Sequence, residues 1–296
     1  MTNPRPCFAG IDAGGTTFKC GVSDADGNLL NKHRVRVTSP EETLSACAAF
    51  FKSVVSRSDL KALGIASFGP IDIDRTSNTY GTILSTPKPN WAGTNLHAFF
   101  TDALATETVV DTDVNGALFA EMASGAAQGA ASAVYITIGT GVGAGIYLNG
   151  HFAGQPTHPE FGHIPIKRHP DDTSFAGICP FHGDCLEGLA SVSAMRARWG
   201  EPKDLAPNHH GWVIAADYLA QACRVLTLTL RVERIILGGG LMLAPHLLDM
   251  VRSAYDRQMA NYLGDESIAG RTLIDRPAFG DDAGLCGALL LASQHQ

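Results

Sequence analysis

Hydrophobic and polar positions alternate through the first forty residues in a pattern that predicts three strands before any helix. An apolar run, Cys7-Phe8-Ala9-Gly10-Ile11, breaks into Asp12-Ala13-Gly14-Gly15-Thr16-Thr17 and resumes over Lys19 to Ser23. Asp26-Gly27 marks a turn, and a third strand falls near Lys32 to Val37. Ser39-Pro40-Glu41-Glu42 is a helix start: a capping hydroxyl, proline at the first helical position and acids in the first turn. Leu44, Ala48, Phe51, Val54 and Val55 then follow helical spacing. Ala62 to Ser67 predicts a short buried strand, ending at Phe68-Gly69-Pro70.

A helix over Leu96 to Ala105 and a strand over Thr108 to Val110 come next, before Asp111-Thr112-Asp113-Val114-Asn115 opens a helix running to about Gly125. The second half repeats the scheme. Strands are expected near 133–138, 143–148 and 162–166, a helix over Val213 to Leu230, and a strand Arg234-Ile235-Ile236-Leu237 ending in Gly238-Gly239-Gly240. A last helix, roughly Gly284 to Ser293, is expected to pack back on the first half.

The two strand breaks carry the first chemistry. Gly14 and Gly15 lack a Cβ, so backbone N–H groups there can turn toward phosphate oxygens, while Thr16 and Thr17 add hydroxyl donors. Asp12 at the strand end suits a magnesium ion held through water. A plain turn fits the same residues, but the pattern recurs at Thr137-Ile138-Gly139-Thr140-Gly141-Val142-Gly143. No Gly-Lys dipeptide occurs in the chain, which excludes a Walker-type lysine loop, and the glycine spacing is not that of a dinucleotide site. Gly238-Gly239-Gly240 is a turn or a backbone platform for adenosine.

Composition narrows the partners. A formal net charge of −7 disfavours nucleic acid and favours a small metabolite. Residues 122–159 contain no Asp, Glu, Lys or Arg, but glycines interrupt the stretch too often for a membrane span. Met1 to Pro6 leave no room for a signal-peptide core, which predicts a cytoplasmic protein. Seven cysteines at scattered positions do not form a disulfide framework.

Asp113 lies where a strand gives way to a helix, and it is either an N-cap or a general base that accepts a sugar hydroxyl proton. Asp111 is still on the strand, and Asn115 can bond a neighbouring hydroxyl. Cys179, His182 and Cys185, with His163 as a fourth ligand, form a knuckle suited to tetrahedral structural zinc. Such a site would fix Glu160 and Glu187 as acceptors for sugar hydroxyls. Gly69 and Asn90 lie on loops that can face a sugar, while Trp91 is expected in the core.

These motifs together resemble the ROK family of repressors, open reading frames and sugar kinases, over nearly the whole length. Asp12 to Thr17 looks like its first phosphate motif, Thr137 to Gly143 its second, and Leu237 to Leu241 its adenosine motif. Glu160-Phe161-Gly162-His163 is similar to its Glu-x-Gly-His sugar element. The resemblance implies an α/β fold of two actin-like (ribonuclease H-like) lobes, each a mixed β-sheet flanked by helices, with a cleft between them. The small lobe would span 1–117 plus the helix 284–296, and the large lobe 118–283 with the zinc loop.

The same resemblance implies ATP and Mg²⁺ held by Asp12, Gly14, Gly15, Thr16, Thr17, Lys19, Thr137, Gly139, Thr140, Gly141, Gly238, Gly239 and Gly240. Asp113 would be the base. Gly69, Asn90, Asn115, Glu160, His163 and Glu187 would contact the sugar, and His163, Cys179, His182 and Cys185 would hold Zn²⁺. Two departures stand out: His182 replaces a cysteine that many members carry, and Thr112 replaces an asparagine before the aspartate. The Cys179 to Glu187 segment is similar to the bacterial fructokinase branch, which makes D-fructose the first substrate and mannose, glucose or an N-acetylhexosamine the alternatives. A homodimer is implied. A DNA-binding regulator of this family would need a helix-turn-helix before the first strand, and six residues precede Cys7.

Overall fold

The computed structural model describes residues 6–56, 59–86 and 88–294. The chain divides into two compact units, one of residues 1–120, 154–158 and 281–296, the other of 121–153 and 159–280.

The first unit opens with β1 (Cys7–Ala13), β2 (Thr17–Asp24) and β3 (Leu29–Arg36), a three-stranded antiparallel meander. Helix α1 (Pro40–Val54) follows, its N-terminus capped by the Ser39 hydroxyl, which accepts the Glu42 N–H at 3.3 Å. β4 (Leu60–Ser67) and β5 (Glu107–Thr112), separated by α2 (Leu96–Leu104), join the sheet in parallel, giving the order β3-β2-β1-β4-β5. α3 (Asp113–Ser124) begins in this unit directly after β5. Trp91 is fully buried, packs against Phe18 and Phe68, and donates its indole N–H to the Thr38 carbonyl at 3.3 Å, so it is core as its sequence context predicts.

The C-terminal helix, Ala283–Ser293, returns to this sheet and packs on β1 and β4. Its approach is close enough to require glycine opposite it. A Cβ at Gly64 would lie 1.9 Å from the Ala288 carbonyl oxygen, a backbone atom that cannot swing aside.

The second unit repeats the same connectivity. β6 (Ser132–Ile138), β7 (Val142–Leu148) and β8 (His151–Phe152) form an antiparallel meander, and β9 (Arg234–Gly238) and β10 (Ile274–Asp275) add in parallel on the other side of β6. The helices are α4 (Leu186–Ala190), α5 (Val192–Trp199), α6 (His210–Leu230), α7 (Leu247–Met259) and α8 (Gly270–Leu273). By length and composition α6 is apolar enough to cross a membrane, but most of it is buried in the core of this unit.

One element differs from the sequence expectation. The third strand of the second meander is not at 162–166: Phe161–His163 forms a 3-10 turn, and the strand is the short β8. Asn149 and Gly150 both have positive φ (50° and 94°), the two-residue hairpin geometry that Asn-Gly favours, so the chain reverses immediately after β7. Gly162 then presses its backbone against β7, where a Cβ would meet the Val142 carbonyl oxygen at 1.9 Å.

Gly64→Ala is therefore expected to lower the thermal midpoint strongly, by on the order of 3 kcal/mol of stability, through overpacking against an immovable carbonyl. A melting temperature equal to that of the parent would contradict this account of the helix–sheet approach.

Candidate active site

The first hairpin closes through the Gly14 N–H, which donates to the Thr17 carbonyl at 3.1 Å. Gly15 and Thr16 are exposed at its tip. Asp12, at the end of β1, is mostly buried and lies 3.2 Å from the Lys19 ammonium on β2. Burial raises the Asp12 pKa and Lys19 offsets part of that effect. Lys19 also sits 3.0 Å from an Asp281 carboxylate oxygen and donates to the Asp281 carbonyl, so its ammonium is held back at the base of the hairpin. Lys88, which the sequence did not single out, donates to the Gly15 carbonyl and lies over the rings of Phe68 and Trp91.

Asp113 is the first residue of α3, and the helix is capped by its neighbour. The Thr112 hydroxyl accepts the Asn115 N–H at 3.1 Å, the N-cap bond that the sequence left open for Asp113. Asp113 Oδ1 accepts the adjacent Val114 N–H at 2.9 Å, and among the described residues no cation pairs with it. Burial, and then the charge of Asp12, push its pKa up to about 7. That value suits proton acceptance near neutrality.

Asn115 is buried and donates its amide to Asp111 Oδ1 at 2.8 Å, while its Oδ1 has no partner among the described residues. Its carbonyl oxygen is thus left as an acceptor, beside the second N–H of its amide. Asp111 stays on β5, with burial raising its pKa. Gly69 and Asn90 lie on exposed loops of the same unit, Asn90 at φ 67°. His158, a residue the sequence did not single out, approaches the first of these loops, with Nε2 3.2 Å from the Ile71 carbonyl oxygen.

In the second unit, the hairpin between β6 and β7 closes through the Gly139 N–H, which donates to the Gly141 carbonyl at 2.9 Å, leaving Thr140 exposed. Thr137 pairs in register with Gly238, and a Cβ at Gly239 would fall 2.5 Å from the Ile138 nitrogen. The Gly238-Gly239-Gly240 segment and the second hairpin therefore share one end of the sheet, the carboxyl ends of two parallel strands.

Glu187 on α4 joins that hairpin to the cysteine loop. Its Oε2 accepts the Val142 N–H at 2.9 Å, and a Cβ on Gly141 would intrude to 2.4 Å from that oxygen. Glu160 is exposed and immediately precedes the 3-10 turn that carries His163.

His163, Cys179, His182 and Cys185 converge so that one ligand atom from each lies within 4.8 Å of every other. His163 Nδ1 is 3.6 Å from Cys179 Sγ and 3.5 Å from Cys185 Sγ, and His182 Nδ1 is 3.7 Å from Cys179 Sγ. Tetrahedral zinc with ordinary Zn–S and Zn–N bonds requires S···N edges of roughly 3.6 Å, so the donor set fits the metal. The backbone has a knuckle form: Cys179 and Gly183 exchange both backbone hydrogen bonds, and the His182 N–H points at Cys179 Sγ at 3.5 Å. Without a cation, burial pushes the Cys185 thiol up to about 11.

The loop that carries these ligands is anchored by residues absent from the sequence reading. Asp172 is buried and accepts bonds from Arg198 (2.5 Å) and Tyr218 (2.7 Å), and Gln221 bonds both the N–H and the carbonyl of Lys167. Glu121, fully buried at the far end of α3, accepts the N–H groups of Ala126, Ala278 and Phe279. A lone acid in a helix gives no sign of such long-range partners.

Two copies of one mixed-sheet topology, each with a Gly/Thr hairpin between its first two strands, define the actin-like ATPase class of fold. The chain belongs to the ROK family, whose model matches residues 8–295. It is 41% identical over 294 residues to a putative fructokinase of Bacillus subtilis, covering 97% of this chain and 95% of that protein. It is 40% identical over 301 residues to a fructokinase of Zymomonas mobilis, covering 99% and 98%. Among solved structures, the ROK glucokinase of Streptomyces griseus, in complex with glucose and AMPPNP, is 25% identical with a TM-score of 0.76, over 97% of this chain and 99% of that one.

The raised pKa of Asp113 has a signed consequence for stability. The folded state binds the proton more tightly than the unfolded chain does, so this residue costs stability as pH rises between about 4 and 7. Asp113→Asn removes that cost, and partial exposure of the carboxylate limits the effect. Going from pH 5 to pH 8, the variant is expected to gain about 2 kcal/mol relative to the parent in denaturant unfolding. A difference between the two proteins that does not change with pH would refute the shifted carboxyl.

Proposed function

We propose that the protein transfers the γ-phosphoryl group of ATP to a hexose hydroxyl, with D-fructose as the substrate and fructose 6-phosphate as the product. The observation that carries the reading is Asp113, an uncapped acid with a pKa of about 7 in a chain bearing two phosphate-type hairpins. Similarity to fructokinases at about 40% identity over nearly the whole length supports fructose as the acceptor.

In this reading the Gly14, Gly15, Thr16 and Thr17 hairpin and the Thr137, Gly139, Thr140 and Gly141 hairpin each bind phosphate with backbone N–H groups and hydroxyls. The Gly238-Gly239-Gly240 segment would carry the adenosine, and Lys19 offsets part of the burial that raises the Asp12 pKa. Asp12, a mostly buried carboxylate at the end of β1, is an oxygen ligand of the kind a hard cation such as Mg²⁺ takes, and that ion would neutralise phosphate charge.

Asp113 accepts the proton of the sugar 6-hydroxyl as its oxygen attacks phosphorus. Asn115 offers its unpartnered Oδ1 to a neighbouring hydroxyl, and Gly69 and Asn90 contribute from the loops of the same unit. Glu160, His163 and Glu187 bind the remaining hydroxyls. Zinc on His163, Cys179, His182 and Cys185 is structural, because four protein ligands leave no position open. It fixes the loop next to Glu160 and Glu187. The protein is assigned to the cytoplasm as a homodimer acting on small molecules.

A second reading keeps the chemistry and changes the sugar, since the family also includes the glucokinase of known structure. ADP release measured across fructose, mannose, glucose and N-acetylated hexosamines separates the two. Fructose is expected to give the highest kcat/KM, and a preference for another hexose would overturn the substrate assignment alone. Asp113→Ala should lower kcat by at least about a thousandfold with ATP binding retained, whereas turnover near the parent rate would remove Asp113 as the base. Metal analysis of the purified protein should give one zinc in the thiol site, lost in Cys179→Ser; zinc retained at parent level in that variant would refute the ligand set.

A further inference from the structure

We propose that His169, Asp171 and His210 form a second divalent-metal site, distinct from the cysteine knuckle and selective for first-row transition ions such as Zn²⁺, Co²⁺ or Ni²⁺. One nitrogen from each histidine and one carboxylate oxygen lie within 4.8 Å of one another. Asp171 Oδ2 is 3.0 Å from His210 Nε2 and 3.9 Å from His169 Nδ1. A tetrahedral ion bound by imidazole nitrogen and carboxylate oxygen needs edges of roughly 3.4 Å, between these two separations. Small rotations of side chains that are partly or largely exposed close the difference.

The backbone that presents the ligands is fixed before any ion arrives. The His169 N–H donates to the Tyr218 hydroxyl at 3.2 Å, and the same hydroxyl donates to Asp172, the residue after Asp171. Asp172 is also held by the buried Arg198. His210 is the first residue of α6, whose N-terminus is capped by the neighbouring His209 ring through the Gly211 N–H at 3.1 Å. The His169 and His210 rings meet edge to face, 6.0 Å between centroids. His169 Nδ1 also accepts the Asp171 N–H at 3.2 Å, so ligation through that atom exchanges one long hydrogen bond for a coordinate bond.

Two imidazoles and a carboxylate prefer zinc, cobalt or nickel over magnesium or calcium, which favour all-oxygen shells. Three ligands leave positions open to water. A bound ion would clip the loop between His163 and Cys185 to the start of α6, and would thereby brace the segment that carries the knuckle. The site differs from the knuckle in having no sulfur, which makes the two separable by spectroscopy.

Titration of the purified full-length protein with Co²⁺ tests the proposal. One cobalt equivalent is expected to give visible d–d bands without a thiolate-to-cobalt charge-transfer band, whatever the knuckle itself takes up. His210→Gln and His169→Gln should each weaken that equivalent at least tenfold while leaving any sulfur-linked uptake unchanged. Retention of the sulfur-linked signal, together with an unaltered far-ultraviolet circular dichroism spectrum, verifies that the variants fold. The proposal is overturned if the parent binds no thiolate-free cobalt, or if both variants bind it within tenfold of the parent; His210 and Asp171 are then only a surface ion pair.

Discussion

An acid whose pKa is raised to about 7 must be largely withdrawn from water and left without a cation partner, and the first unit is organised around that requirement. Asp12 and Asp113 both lie in it, and the charge of the first helps to raise the pKa of the second. Lys19 is committed to Asp12 and Asp281, while Arg34 and Lys32 pair with Asp281 and Asp282. None of these cations pairs with Asp113. Gly284 completes the arrangement, because a side chain there would put its Cβ 2.7 Å from the Asp12 carboxyl carbon. The C-terminal helix can then start beside Asp12.

The second unit solves a different problem, that of holding a loop without regular structure between His163 and Cys185. It uses buried polar bonds along the loop, through Asp172, Arg198, Tyr218 and Gln221, and a ligand cluster that brings its two ends together. Glu187, two residues after Cys185, connects that cluster to the glycine hairpin after β6. One proposed sugar contact, Glu187, is thus hydrogen-bonded to the residue that follows Gly141, a proposed phosphate contact.

Much of this was legible in the residues because local rules act strongly there. The glycine hairpins, the Ser39-Pro40 helix start and the Cys179 to Cys185 spacing each carry their cause within a few positions. The third strand at 162–166 was misplaced because its hydrophobic content outweighed the Asn149-Gly150 turn signal, which directs the chain into β8 instead. Thr112 as the cap in place of Asp113 depends on which side chain turns toward the Asn115 N–H, a one-residue choice that composition does not settle. Lys88, His158, Glu121 and Asp281 act through partners far away in sequence, and their roles became visible only once the chain was folded.

The central claim is that Asp113 accepts the sugar proton with a pKa set by burial and by Asp12. The pH dependence of kcat/KM for fructose tests it most directly, since that quantity reports the ionisation of the free enzyme. The account predicts an acid limb of unit slope with its midpoint near pH 7, activity being lost as the pH falls through it. A profile that stays flat from about pH 5 to 8 would contradict it, because an acid with an ordinary carboxyl pKa, or a reaction with no base, would leave no limb in that range.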